Sequence, residues 1–260
     1  MRVKRSLENL LHPIGRPWVI AHRGYWSRGG IENTIDAFLR AVETGCEMIE
    51  LDLRQTADGK IVVFHDAKLE NKLLSEMDSK NLQDIAYEKG IDVPFFEDVL
   101  EALAGKIMID IEIKDPGIEK EVLLQTSAIM PGRTYLISSY DISILKKIRK
   151  LDSSVQIGWV VGERNYIIFK ILKMFTFFRA TIWNWINYLI PEYKYVDSKL
   201  VNTCQNLGIE LLCWTVNSSQ EMIRLSNLNI AGIITDEPEE CLRLISRHMA
   251  LSRKEEKVKK

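Results

Sequence analysis

The chain has 260 residues, of which 46% are hydrophobic and 27% charged, the proportions of an ordinary folded globular protein. Its 35 basic and 36 acidic residues leave a net charge of −1, which argues against a general nucleic-acid binder, since such proteins carry a basic excess. A length of this kind suits one α/β barrel, typically about 250 residues, and buries enough surface to fold without a disulfide or a structural metal.

Residues 1–17 form a basic N-terminal extension. They lack the apolar run and small-residue cleavage site of a signal peptide, so a cytoplasmic protein is expected. Short apolar, β-branched runs then alternate with helical patterns along the chain. The expected strands are Trp18–Ala21, Met48–Leu53, Ile61–Phe64, Ile107–Ile113, Tyr135–Ser138, Val155–Val161, Glu210–Val216 and Gly232–Thr235. Between most of them lie helical stretches: Thr34–Thr44, Glu97–Ala104, Ile118–Ile129, Asp141–Lys150, Ser198–Leu207 and Ser219–Leu228. Such alternation implies parallel strands joined by crossover helices, and eight strands favour closure into a TIM-type (β/α)8 barrel, a single domain over residues 18–248. A charged tail follows over 249–260, and its last nine residues, Ser252–Lys260, are expected to fray into solvent.

One link breaks the alternation. Arg54–Lys60 is too short for a crossover helix, so no helix is expected between strands two and three. Asp58-Gly59 is a turn signal, and the segment either runs back extended or closes a hairpin. A hairpin centred on Asp58-Gly59 would set His65 opposite Asp52. Farther on, residues 166–190 are rich in Ile, Phe and Trp, but Lys170, Lys173 and Arg179 interrupt them, so no transmembrane span is expected. The segment reads as a barrel helix or lid, or as a surface in peripheral contact with lipid.

Polar groups gather where the expected strands end, which in an α/β barrel is the mouth. Strand one ends in His22-Arg23-Gly24, strand two carries Glu50-Leu51-Asp52, strand three ends in His65-Asp66, and strand four carries Glu112-Ile113-Lys114. Residues two apart on a strand share a face, so Glu50 pairs with Asp52 and Glu112 with Lys114. Three carboxylates make a hard, oxygen-rich pocket suited to Mg²⁺ or Ca²⁺. The four cysteines, Cys46, Cys204, Cys213 and Cys241, form no CxxC pair and read as reduced thiols. Two histidines beside a metal pocket fit proton transfer near neutral pH. Arg23 and Lys114 suit phosphate recognition or pairing with the carboxylates. Trp214 reads as an apolar wall for an alcohol moiety or as core. The weaker signals Ser138-Ser139 and Thr235-Asp236 also fall at strand ends.

In order along the chain, HRG at 22–24, ENT at 32–34, ELD at 50–52, DG at 58–59, HD at 65–66, EIK at 112–114, SS at 138–139, WTVN at 214–217 and GIITDEP at 232–238 resemble the glycerophosphodiester phosphodiesterase family, a branch of the phospholipase-C-like phosphodiesterases. The resemblance covers residues 18–240. It implies that His22 and His65 form an acid–base pair, that Glu50, Asp52 and Glu112 hold the divalent cation, and that Arg23 and Lys114 bind phosphate. It also implies attack by the glycerol 2-hydroxyl, with a cyclic phosphate formed before hydrolysis. One departure stands out: Leu69-Glu70-Asn71-Lys72 occupies the place of the family's frequent Leu-Arg-Thr-Thr. The expected substrate is a small phosphodiester, with glycerol 3-phosphate and an alcohol as products. The competing expectations are a lysophospholipase-D-like activity, suggested by the aromatic segment, and a catalytically silent binding protein on the same barrel.

Overall fold

The computed structural model describes residues 16–258, apart from 131, 133, 168 and 171–184. Its strands are β1 (Trp18–His22), β2 (Met48–Gln55), β3 (Ile61–Val63), β4 (Lys68–Leu69), β5 (Lys72–Leu73), β6 (Met108–Ile113), β7 (Tyr135–Ser139), β8 (Gln156–Val161), β9 (Tyr188–Pro191), β10 (Glu210–Cys213) and β11 (Gly232–Thr235). Its helices are α1 (Ile35–Thr44), α2 (Ser79–Glu88), α3 (Phe96–Leu103), α4 (Glu119–Ile129), α5 (Ile142–Leu151), α6 (Ser198–Leu207), α7 (Ser219–Ser226) and α8 (Pro238–Val258).

Eight strands close into a parallel barrel in the order β1-β2-β6-β7-β8-β9-β10-β11, with β11 pairing back to β1. Alternation along each strand separates two cores. Ile20, Met48, Met108, Leu136, Tyr188 and Leu212 fill the barrel interior. Val19, Ile49, Leu51, Ile109, Ile111 and Ile137 face outward and pack beneath the helices. α1 shows how the sequence fixes an element locally. The Thr34 side chain caps it by accepting from the Ala37 amide, Gly45 ends it in a left-handed conformation, and Ala37, Phe38 and Ala41 form its buried face.

Two strand expectations change. Ile61–Phe64 is not a barrel strand: β3 pairs antiparallel with the end of β2, with Leu53 opposite Val63. The barrel strand missing from the sequence reading is β9, at the end of the aromatic segment. Within the hairpin, Phe64 rather than His65 comes opposite Asp52, its amide donating to the Asp52 carbonyl at 2.9 Å. The reason is the loop. The Thr56 amide reaches the Lys60 carbonyl at 3.0 Å, so three residues centred on Asp58 make the turn, with Gly59 at φ 82°.

Between β3 and α3, the β4–β5 hairpin and α2 enclose a small third core of Val62, Leu69, Leu74, Met77 and Leu82. Ser252–Val258, within the stretch expected to fray, continues α8, because it contains neither Gly nor Pro and mostly strong helix formers. Most of 166–190, where the lid or lipid contact was expected, lies outside the described residues. Among the described residues no helix is long and apolar enough to cross a membrane.

Candidate active site

The site begins at the end of β1, where the chain turns on two consecutive left-handed residues, Arg23 at φ 56° and Gly24 at φ 82°. A Cβ on Gly24 would lie 2.7 Å from the Ala37 carbonyl carbon, so only glycine lets α1 approach. The left-handed Arg23 costs about 1–2 kcal/mol as a non-glycine residue. Its backbone N–H points at Glu50 Oε2, 3.1 Å away, and its guanidinium reaches Glu32 at 2.8 Å and Asp52 at 3.2 Å.

Strand register assembles the carboxylates. His22 lies beside Glu50, and Asp52 beside Glu112. Glu50, Asp52 and Glu112 are all buried, and each offers an oxygen within 4.8 Å of the others. Lys114 Nζ stands 2.9 Å from Asp52 and 2.7 Å from Glu112, and Asn33 Nδ2 donates to Asp52 at 2.9 Å. Burial alone would raise the Asp52 pKa, but Lys114, Arg23 and His65 outweigh it and hold the group below the usual carboxylate range. Glu50 is pushed the other way, by burial first and then by the Asp52 and Glu112 charges. Lys114 is raised, because its carboxylate neighbours outweigh burial.

Glu50 Oε1 is buried and accepts no hydrogen bond. Leaving a buried carboxylate oxygen unpaired is costly, and a divalent cation is the group this oxygen-only set fits. Nothing in the donor set distinguishes Mg²⁺ from Ca²⁺.

Both histidines flank the cluster. His22 Nε2 lies 3.9 Å from Glu50 Oε2, and the charge of His65 acts on Asp52. Each presents Nδ1 to an aspartate at 2.7 Å, His22 to Asp236 and His65 to Asp66. A carboxylate only accepts, so Nδ1 carries the proton and Nε2 is left for exchange. Arg54 fixes the second histidine from behind: its Nε and Nη2 donate to the His65 carbonyl at 3.0 and 2.9 Å, and Nη1 donates to Asp115 at 2.6 Å.

A cavity of about 860 Å³ opens over this region, with Arg54, His65 and Lys114 on one side and Tyr140 and Trp214 on another. Trp214 and Tyr140 meet edge to face, 5.7 Å between ring centres, and Trp214 Nε1 donates to the Ile190 carbonyl. Of the cluster and its neighbours, Lys114 and His65 line the cavity, whereas His22, Arg23, Glu50, Asp52 and Glu112 are not among its lining residues.

Sequence reasoning gave several residues too little weight. Asp236 holds His22 and in turn accepts from Asn217 Nδ2 at 2.6 Å. Those bonds outweigh burial and keep its pKa low. Asn33 reads from sequence as a helix opener; Thr34 does the capping, and Asn33 braces Asp52. Asp110, one layer below Glu112, takes the Ser138 hydroxyl at 2.6 Å, and burial raises its pKa to about 8.

The profile of the Glycerophosphoryl diester phosphodiesterase family matches residues 22–240. A glycerophosphodiester phosphodiesterase of Caldanaerobacter subterraneus subsp. tengcongensis is 31% identical over 88% of this chain and 98% of its own. Among solved structures, a glycerophosphodiester phosphodiesterase from Parabacteroides distasonis superposes with a TM-score of 0.78 at 23% identity, over 90% of this chain and 98% of that one. An Oleispira antarctica phosphodiesterase, solved with the product sn-glycerol-3-phosphate, gives 0.73 at 21% identity, over 89% and 97%. The ordered motifs, the closed barrel and the acidic cluster at its mouth agree with these likenesses: the chain belongs to the glycerophosphoryl diester phosphodiesterase family.

Proposed function

We propose that the chain hydrolyses glycerophosphodiesters to glycerol 3-phosphate and an alcohol, with His22 and His65 as the acid–base pair and Glu50, Asp52 and Glu112 holding a divalent cation. The reading is carried by one observation: three buried carboxylates converge, one oxygen lacks any hydrogen bond, and one histidine lies 3.9 Å from Glu50 while the other acts on Asp52.

A phosphodiester is anionic, so an attacking oxygen is repelled until the charge on its oxygens is neutralised. A divalent cation held by the three carboxylates supplies that neutralisation. Lys114, on the cavity wall, would add a second positive charge, and the Arg23 charge offsets those of Asp52 and Glu50. One histidine, neutral, takes the proton of the attacking hydroxyl at Nε2, while the other, entering as the imidazolium, delivers its Nε2 proton to the departing alkoxide. Such transfers contribute about 10²–10⁴-fold each. Asp236 and Asp66 accept from Nδ1 of the two rings, so that in each it is Nε2 that gains or gives up the proton. Trp214 and Tyr140 offer apolar faces to the carbon skeleton of the substrate.

The test is a chelator-and-add-back assay on glycerophosphocholine, with Mg²⁺ and Ca²⁺ restored separately and lysophosphatidylcholine run in parallel. Activity that vanishes with EDTA and returns with one cation supports the reading. Undiminished activity in EDTA removes the cation assignment, and a greater than about tenfold preference for the acylated substrate, worth about 1.4 kcal/mol, moves the substrate to single-chain lipids.

A further inference from the structure

The cavity runs from His65 and from Lys114, which contacts Asp52 and Glu112, to a wall made by the turn after β8, where Glu163 and Arg164 line it together with Glu192. This turn is fixed in place. Asn165 is buried, accepts from the Gly162 amide at 3.0 Å, and donates to the carbonyls of Val160 at 2.9 Å and Tyr140 at 3.3 Å. Phe169 is buried four residues on, against Trp159. Gly162 leaves room for the aromatic pair, because a Cβ there would stand 3.0 Å from Trp214 and 3.2 Å from the Tyr140 hydroxyl. Arg164 is therefore presented from an anchored backbone, although its side chain is exposed.

The charges on the cavity wall pair off, with one exception. Lys114 is held by Asp52 and Glu112, Arg54 by Asp115, and His65 by Asp66. Lys194 Nζ bridges Glu163 and Glu192, 2.8 Å from each. Among the described residues lining the cavity, Arg164 alone carries a charge without an opposite partner. Its planar fork of donors matches the oxygens of a phosphate.

We propose that Arg164 forms a subsite for a second phosphate on the alcohol half of the substrate, so that diesters whose alcohol carries a terminal phosphate monoester are preferred. This rests on the phosphodiesterase reading above and names the substrate class within it. The diester phosphate sits at the cation cluster, and the far end of the alcohol reaches the β8 turn across the same cavity. The rival occupant is a cationic alcohol such as choline, drawn by the two carboxylates and the aromatic faces. Lys194 stands between those carboxylates and opposes such a group. The two carboxylates and one ammonium leave one negative charge, which the Arg164 guanidinium balances.

The experiment compares kcat/KM for three diesters that share the glycerophosphoryl half: glycerophosphoglycerol, the same diester with a phosphate monoester on its terminal hydroxyl, and glycerophosphocholine. All are assayed at low salt with the divalent cation present. The expected result is a preference of roughly tenfold or more for the phosphorylated diester over the neutral one, the effect of one charge-assisted hydrogen bond. In Arg164→Ala that ratio falls to about one, in Arg164→Lys it survives in part, and in Arg164→Glu it inverts. Added salt narrows the wild-type ratio. An unchanged ratio in Arg164→Ala, or a wild-type preference for the choline diester, overturns the subsite while leaving the phosphodiesterase reading intact. Failure to turn over any of the three diesters sinks that reading instead, and the subsite with it.

Discussion

His22 Nδ1 lies 2.7 Å from Asp236 Oδ1, a contact between the end of the first barrel strand and the residue just after the last. β1 and β11 are paired neighbours in the closed barrel, so closure itself brings the two together. The contact leaves His22 Nε2 as the exchangeable nitrogen. Asp236→Asn, which can present an amide N–H to Nδ1 and favour the wrong tautomer, should lower kcat by about 10²-fold or more with little change in KM. Asp236→Glu should recover part of the loss. Steady-state kinetics beside thermal melts check it. Loss of activity in proportion to loss of folded protein would assign Asp236 a structural role only.

Glu50 holds its proton to higher pH than an ordinary carboxyl when no cation is present, because burial and the neighbouring Asp52 and Glu112 charges oppose ionisation. A divalent cation binds the carboxylate, so binding must displace that proton. Affinity for Mg²⁺ or Ca²⁺ should therefore rise with pH, by up to about tenfold per pH unit while Glu50 remains protonated, and protons should appear in a weakly buffered titration. Glu50→Gln should bind the cation more weakly and lose this dependence. Calorimetry at several pH values decides it, and a pH-independent affinity in the native chain would refute the proton displacement.

Asp110 has its pKa raised from 3.8 to about 8, chiefly by burial. For a carboxyl raised on folding, the folded chain holds the proton more tightly than the unfolded one. Stability from this source is complete below about 4 and is lost as pH rises through about 8, with a slope of at most about 1.4 kcal/mol per pH unit. In chelated protein, Asp110→Asn should remove that decline while still accepting the Ser138 hydroxyl. The difference between the two chains' urea midpoints across this window measures it, since other titrating groups largely cancel. Parallel curves would show that Asp110 is ionised throughout.

The cluster was legible because strand alternation is a local rule: acids two apart in Glu50-Leu51-Asp52, with Leu51 turned into the outer core, state their direction without any tertiary information. Neighbouring strands then needed only to be parallel for Glu112 to join them. β9 was hidden because its four residues, Tyr188–Pro191, end a long aromatic run in which no local signal marks where a strand begins. Ile61–Phe64 has the composition of a barrel strand, and composition does not specify the direction of pairing. Asp236 was only a weak signal, since its partner lies 214 residues away and an acid near a helix start has an ordinary explanation.

The loop that displaced the expected register offers its own test. Asp58 accepts from the Thr56 hydroxyl at 2.6 Å and from the Ser79 amide and hydroxyl at 2.9 and 2.7 Å, tying the β2–β3 turn to the start of α2. These bonds lower its pKa from 3.8 to about 2. A carboxylate depressed on folding contributes stability that is present above 3.8 and lost as pH falls through about 2. The group is exposed, so the contribution is small, and Asp58→Ala should cost about 1 kcal/mol at neutral pH through lost hydrogen bonds. The native and variant chains should converge in stability in strong acid. The turn leads through β3 to His65, so the variant should also lose turnover more than it loses affinity for substrate. Urea melts at neutral and acid pH, run beside steady-state kinetics, separate the two effects. Full activity in a destabilised variant would show that Arg54 alone is enough to hold His65 in place.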